Sequence, residues 1–305
     1  MHIEGHFLVD FVNRNAKKTQ PFFVVASFLA PHNGMPFEDD DPNLVYGTTN
    51  YPTPYVGPRH RNDLSTLPLK LNPAINEDTS DKPFSPLPLA SWEFTALKEV
   101  NQQRRESLLF VEDAMRRVLK ALRTNAIFGN TYIVFLSDNG YALGEHRVRN
   151  GKTIPYGVAV KVPIAMRGPG IKPGSIVHRL IGIHDLAPTI LDMAGRTGAQ
   201  GNFPIDGASV LPMLNYTDYL RGRALVLEGA PPNGEIAPDW YFRGVVTQSW
   251  KYLERPLGAV ELYDLKNDPW ELENHAGQPA YAVQQAAMKA LKGRLQDCKG
   301  TDCLK

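Results

Sequence analysis

Apolar positions in this chain follow two spacings, and the change from one to the other marks the predicted elements. Phe7, Leu8, Phe11 and Val12 lie on one side of a short helix over 4–16. "PFFVVASFL" (21–29) is a near-continuous apolar run rich in Phe and Val, which predicts a strand covered on both faces, as in a parallel sheet. It stops at Ala30-Pro31-His32. Over 33–90 prolines recur, regular spacing is lost, and "EDDDP" and "INEDTSDKP" are polar; a loop this long carries function or stays disordered. Leu108, Val111, Met115, Val118 and Leu122 then recur at threes and fours in a helix over 91–125, with Glu112–Arg116 and Asp113–Arg117 pairs on the other face. "TYIVFLSD" (131–138) and "VPIAMRGPG" (162–170) read as strands. "HDLAPTILDMAG" (184–195) reads as a helix with Asp185 as N-cap, Pro188 in the first turn and Gly195 past its end.

Beyond about 200 the pattern shifts. "ALVLEG", "YFRGVVTQSWKYLE" and "VELYDL" are short β-like runs with turns between them, and a helix over 279–297 repeats Val283, Ala287, Leu291 and Leu295 at fours. This order predicts an α/β protein. A mostly parallel main sheet flanked by helices fills 1–200, and a small subdomain of antiparallel strands plus a helix fills 201–305.

Composition changes the picture little. The 305 residues are 43% hydrophobic and 21% charged, with a net charge of +1, enough for a large core and without the basic excess of a nucleic-acid or membrane-surface binder. No apolar run approaches the ~20 residues of a membrane span. "MHIEGHFLVDFVNRN" has acids and His residues where a signal peptide has a basic start and an apolar middle. Cys298 and Cys303 either close a small disulfide loop in an oxidising compartment or are two free thiols. Asn215-Tyr-Thr is a glycosylation sequon, a pattern short enough to arise by chance.

Candidate chemistry gathers at strand ends, where open α/β sheets hold ligands. Asp138 and Asn139 end one strand and offer a carboxylate and an amide oxygen, hard ligands suited to Ca²⁺ or Mg²⁺. Asp-Asn-Gly is equally a common turn, with Gly140 easing the bend. His32 follows the other strand, as a catalyst or as a hydrogen-bonded loop residue. Lys152 reads as a cation for an anionic substrate or as solvated surface.

"SDNGYALGEHRVRNGK", "VPIAMRGPGIKPG" and "HDLAPTILDMAG" together resemble the sulfatase family of the alkaline-phosphatase-like superfamily. "PFFVVASFLAPH" resembles the strand leading to that family's active-site His, and "RGVVTQSWKYLERPLGAVELYDLKNDPWELEN" its C-terminal subdomain. The similarity spans nearly the whole chain in order, with a flavour of N-acetylglucosamine-6-sulfatases and arylsulfatases. It implies hydrolysis of aryl or carbohydrate sulfate esters. Asp138 and Asn139 would bind Ca²⁺, His32 and Lys152 would contact the sulfate as catalytic and binding groups, and Glu145 and His146 of "GEH" would support the site. It also implies a periplasmic, secreted or lysosomal setting, which agrees with a Cys298–Cys303 bridge.

Several family parts are missing. No C/S-x-P-S-R motif, the source of the formylglycine nucleophile, occurs: Cys298 is followed by "KGTDC", and "FSPLPL" lacks Ser-Arg. The paired N-terminal Asp ligands and a second Lys and His are absent, and Asp39–Asp41 follows a loop rather than a strand end. Tyr156-Gly157 stands where many relatives have Tyr-Glu. The expectation is a truncated chain, inactive alone and poorly soluble, because the strands at 21–29 and 131–137 lack neighbours. Two alternatives stand beside it. One is a phosphodiesterase or phosphonate hydrolase of the same superfamily, disfavoured because those two-metal relatives place Asp-His where this chain has Asp138-Asn139. The other is a non-catalytic pseudosulfatase that binds sulfated glycan or a partner through His32 and Lys152.

Overall fold

The computed structural model describes residues 2–34, 38–39, 41, 51–196, 204–229 and 242–304, so the predicted domain junction near 200 lies outside them. The chain forms two compact units, Met1–Asn72 with Leu89–Ile133, and Pro73–Pro88 with Val134–Lys305.

The first unit is built on α1 (His2–Asn15) and α2 (Ser91–Thr124). The helices approach closely where Gly5 meets Ala114: a Cβ on Gly5 would stand 3.3 Å from that of Ala114. Val12, Ala121 and Leu122 are buried together, with Phe22 and Val118 packed on them. Phe7, expected on the apolar face of α1, is instead exposed. The buried face of α2 turns slightly from the predicted stripe. Val111 and Leu122 are inside, joined by Leu97, Phe110 and Ala114, while Leu108 is exposed. The start of α2 is closed by Glu93, whose carboxylate accepts the Ala90 N–H at 2.8 Å. Glu112 pairs with Arg116 as expected, and Asp113, which feels the Arg117 charge, also reaches Arg59 and His60, at 2.9 and 3.1 Å.

Residues 21–29 form no strand, a correction to the sequence reading. A strand needs a neighbour to take its backbone N–H and C=O groups, and no described strand lies beside this segment. Phe23, Val25 and Leu29 are consequently 65%, 69% and 67% exposed. The Ala30–Pro31 bond that follows is cis.

The second unit holds β1 (Ile133–Leu136) from Val134 on, beside β2 (Ile164–Arg167), with α3 (Gly157–Val160) and α4 (Leu186–Met193). Strands β3 (Leu225–Gly229), β4 (Phe242–Val246), β5 (Trp250–Glu254) and β6 (Val260–Asp264) form an antiparallel sheet in chain order. Helix α5 (Ala282–Leu295) lays Met288 and Leu295 on that sheet with Val245, Tyr252 and Leu262. Val283, predicted on the same stripe, is exposed. Asp185 does not cap α4 through its side chain. Its fully buried carboxylate accepts the N–H groups of Gly182 and Ala208, each at 2.8 Å, and pairs with Arg223 at 2.7 Å. A buried carboxylate needs partners of this quality to stay charged. Among the described residues, no helix is long and apolar enough to cross a membrane.

Candidate functional site

β1 delivers its carboxyl end onto a turn. Ser137 Oγ donates to the Asn139 carbonyl at 2.8 Å, and the Asn139 N–H reaches Asp138 Oδ1 at 2.9 Å. Asn139 Nδ2 donates to the Gly140 carbonyl at 2.8 Å, which leaves its amide oxygen without a partner among the described residues. Asp138 is exposed and Asn139 partly so. Gly140 is required for close packing rather than for a sharp bend. A Cβ there would lie 2.0 Å from the Val158 carbonyl oxygen, and its N–H bonds Ala159 O at 2.8 Å.

The chain then folds back on itself. The Ala142 N–H meets Gly151 O at 2.8 Å, so Lys152 emerges beside the Asp138–Ala142 segment. Lys152 is exposed, and its ammonium has no carboxylate partner among the described residues. The intervening turn is strained: His146 and Arg147 take left-handed φ values of 52° and 60°. Glu145 and His146 are buried. The Glu145 carboxylate accepts the Leu143 N–H at 2.6 Å. His146 donates its N–H to Ala74 O at 2.8 Å, bonds Glu77 through Nδ1 and rests its ring 4.0 Å from that of Tyr156. Both residues brace the turn from inside.

His32 belongs to the first unit, whereas Asp138, Asn139, Glu145, His146 and Lys152 belong to the second. Its backbone closes a turn to Leu29 O at 2.8 Å, and its imidazole is exposed, with Nδ1 3.1 Å from Asn33 O. The structure places Cys298 and Cys303 as a bridged pair, Cα atoms 5.2 Å apart.

A buried ionic network, not foreseen from the sequence, secures the segment after Lys152. Lys251 pairs with Glu271 and donates to Pro155 O at 2.9 Å; Glu271, itself at φ 60°, also accepts the Gly157 N–H. Glu261 accepts the hydroxyls of Tyr156 and Tyr263 at 2.9 and 2.6 Å and pairs with Arg255 at 2.8 Å. Burial first, and the Glu261 charge next to it, push the Tyr156 hydroxyl well above its ordinary range. It therefore stays a neutral donor. Lys82 adds contacts to Glu77 at 3.2 Å and to Leu272 O at 2.7 Å.

Asp138 and Asn139 offer a hard cation the right kind of oxygen. Ca²⁺ takes six to eight of them, and among the described residues no group of three or more His, Cys, Asp or Glu is placed to hold a metal. The donor set fits in kind and falls short in number.

The family model for sulfatases matches residues 6–196, more than half of the chain. The chain belongs to the sulfatase family. A second model, for the C-terminal part of N-sulphoglucosamine sulphohydrolase, matches residues 144–299 of the chain. The arylsulfatase of Volvox carteri is 32% identical over 93% of the chain and 48% of its own length. The N-acetylglucosamine-6-sulfatase of Bos taurus is 30% identical over 97% and 55%. The chain thus spans about half the length of these relatives. BT4656, solved with its substrate D-glucosamine-2-N,6-O-disulfate, superposes with a TM-score of 0.60 and 28% identity, over 67% of this chain and 41% of that one. The phosphonate monoester hydrolase of Silicibacter pomeroyi superposes with a TM-score of 0.73 at 22% identity, over 97% and 61%, and so shares the fold. The architecture is the alkaline-phosphatase-like α/β fold with an antiparallel C-terminal sheet. Sulfatases generally use a formylglycine and a divalent cation.

Proposed function

We propose that this chain contributes the strand-end portion of a calcium-dependent site for hydrolysing aryl or carbohydrate sulfate esters. The observation that carries the reading is the Asn139 oxygen, without a partner among the described residues, beside the exposed Asp138 carboxylate, with Lys152, unpaired among the same residues, emerging alongside. The names of the relatives, arylsulfatase and N-acetylglucosamine-6-sulfatase, support the substrate class. Asp138 and Asn139 would hold the cation, which when bound supplies positive charge to the sulfate oxygens. Lys152 would neutralise the anion from a fixed backbone position. Fixed donors of this kind stabilise charge that develops on oxygen without rearranging during the reaction.

The 305 residues encode no C/S-x-P-S-R sequence, so we propose that the chain alone has no turnover. The test is an aryl sulfate assay with Ca²⁺ after co-expression with a formylglycine-generating enzyme. Background rates are expected; turnover abolished by Lys152→Ala would overturn the inactive reading. A Ca²⁺ titration checks the metal assignment, since weak binding should disappear in Asp138→Ala. The same missing motif favours a second reading, non-catalytic capture of sulfated glycan. Retention of the chain on a heparin column, lost in Lys152→Ala, would support it.

A further inference from the structure

We propose that Asn215 is an acceptor for an N-linked glycan, a modification site separate from the proposed sulfate site. Asn215-Tyr216-Thr217 is the sole Asn-x-Ser/Thr sequence, with x other than Pro, in all 305 residues. The fold gives it what attachment needs. The short helical turn Leu211–Leu214 tucks Met213 into the interior, and the N–H groups of Asn215 and Tyr216 both close on Pro212 O, at 3.1 and 2.9 Å. The chain then stands out from the surface. Asn215, Tyr216, Thr217 and Asp218 are all exposed, Tyr216 at 67%, before Tyr219 turns back to half-burial.

The run is held from both sides without using its acceptor groups. Arg179 donates to the Thr217 carbonyl, and Arg221 pairs with Asp218 at 3.0 Å. The Asn215 side-chain amide and the Thr217 hydroxyl have no hydrogen-bond partner among the described residues. A bulky, solvated oligosaccharide on this amide displaces no packed side chain.

A second observation points to the compartment. Both cysteines of the chain are bridged, and disulfides persist in oxidising settings such as the endoplasmic reticulum lumen, where N-glycosylation takes place. The co-reactant is a lipid-diphosphate-linked oligosaccharide. The bond from Asn215 Nδ2 to the sugar C1 forms as the C1–O bond to diphosphate breaks. The amide gives up one proton, and the lipid diphosphate leaves with the bonding pair.

The experiment translates the full chain into endoplasmic reticulum microsomes behind a cleavable signal sequence and a tag that carries one sequon of its own. Two peptide N-glycosidase-sensitive glycans are expected on wild type and on Thr217→Ser. Asn215→Gln and Thr217→Ala should each retain only the tag glycan. The Asn215→Gln chain should also keep its Cys298–Cys303 bridge, read by thiol labelling without reduction. Wild type carrying the tag glycan alone proves delivery to the lumen and overturns the proposal.

Discussion

Gly140→Ala tests whether the Asp138–Asn139 end is fixed in place. The new Cβ would sit 2.0 Å from Val158 O and 3.0 Å from Ala159 Cα. Carbon–oxygen contacts settle near ~3.3 Å or more, so the two segments must part by about 1 Å. Both obstacles are backbone, and no rotamer change relieves them. Parting stretches the Gly140–Ala159 hydrogen bond, now 2.8 Å, which is worth about 1 kcal/mol. Overpacking adds about 1–3 kcal/mol, and alanine recovers about 0.4–1 kcal/mol by restricting the unfolded chain. The net is a destabilisation of about 1–4 kcal/mol. Gly293→Ala in α5 is the matched control, because its Cβ would meet nothing within 4 Å; it should stabilise by about 0.5–1 kcal/mol. Urea unfolding followed by tryptophan fluorescence reads both. If Gly140→Ala is as stable as wild type while Gly293→Ala behaves as stated, the stretch is a loose turn and the metal assignment loses its support.

Three further outcomes follow from other parts of the structure. Lys251→Met should destabilise the second unit by about 3–5 kcal/mol by stranding the Glu271 carboxylate; a urea midpoint near wild type would show that the pair is not buried as described. His60 has a raised pKa, chiefly from its hydrogen bond to Asp63, with burial opposing and Asp113 adding to it. Its contribution is complete below its unfolded pKa of ~6.5 and is lost as pH rises through the higher folded value, so the urea midpoint of the first unit should fall above neutrality and flatten in His60→Gln. A midpoint that climbs with pH would refute this. Replacing exposed Phe23 and Val25 by Ser should raise the soluble yield, measured after centrifugation; an unchanged yield would remove 21–29 as the sticky segment.

Local features were legible and distant pairings were not. "TYIVFL" and "VPIAMR" declared β1 and β2 because both interrupt polar sequence with β-branched residues. Asp138-Asn139 could be read as a strand-end oxygen pair for the same reason. The segment 21–29 misled because its composition suits a covered strand, whereas strand formation depends on neighbours that composition does not reveal. Phe7 and Val283 failed similarly: a helical stripe states which residues share a side, not which of them a partner reaches. Nothing in the sequence sets Lys251, Glu261 and Glu271 apart from ordinary charged residues, which are mostly exposed. Glu261 even sits in "VELYDL", where alternation gave no hint that its carboxylate faces two tyrosines. Lys82 was hidden altogether, since its backbone acceptor Leu272 lies 190 positions on.

That last separation has a consequence for how the molecule is made. Pro73–Pro88 completes the unit formed by Val134–Lys305, and Asp81 is joined to Asn274, 193 positions later. At roughly 5–20 residues per second on the ribosome, Ala74 and Glu77 meet His146 early, but Asp81 and Lys82 wait on the order of 10–40 s for Asn274 and Leu272 to be synthesised. Throughout that interval the end of the stretch around Asp81 and Lys82 is nascent chain without its final partners, open to chaperones and proteases, and a pause or stop codon before Asn274 would leave it stranded.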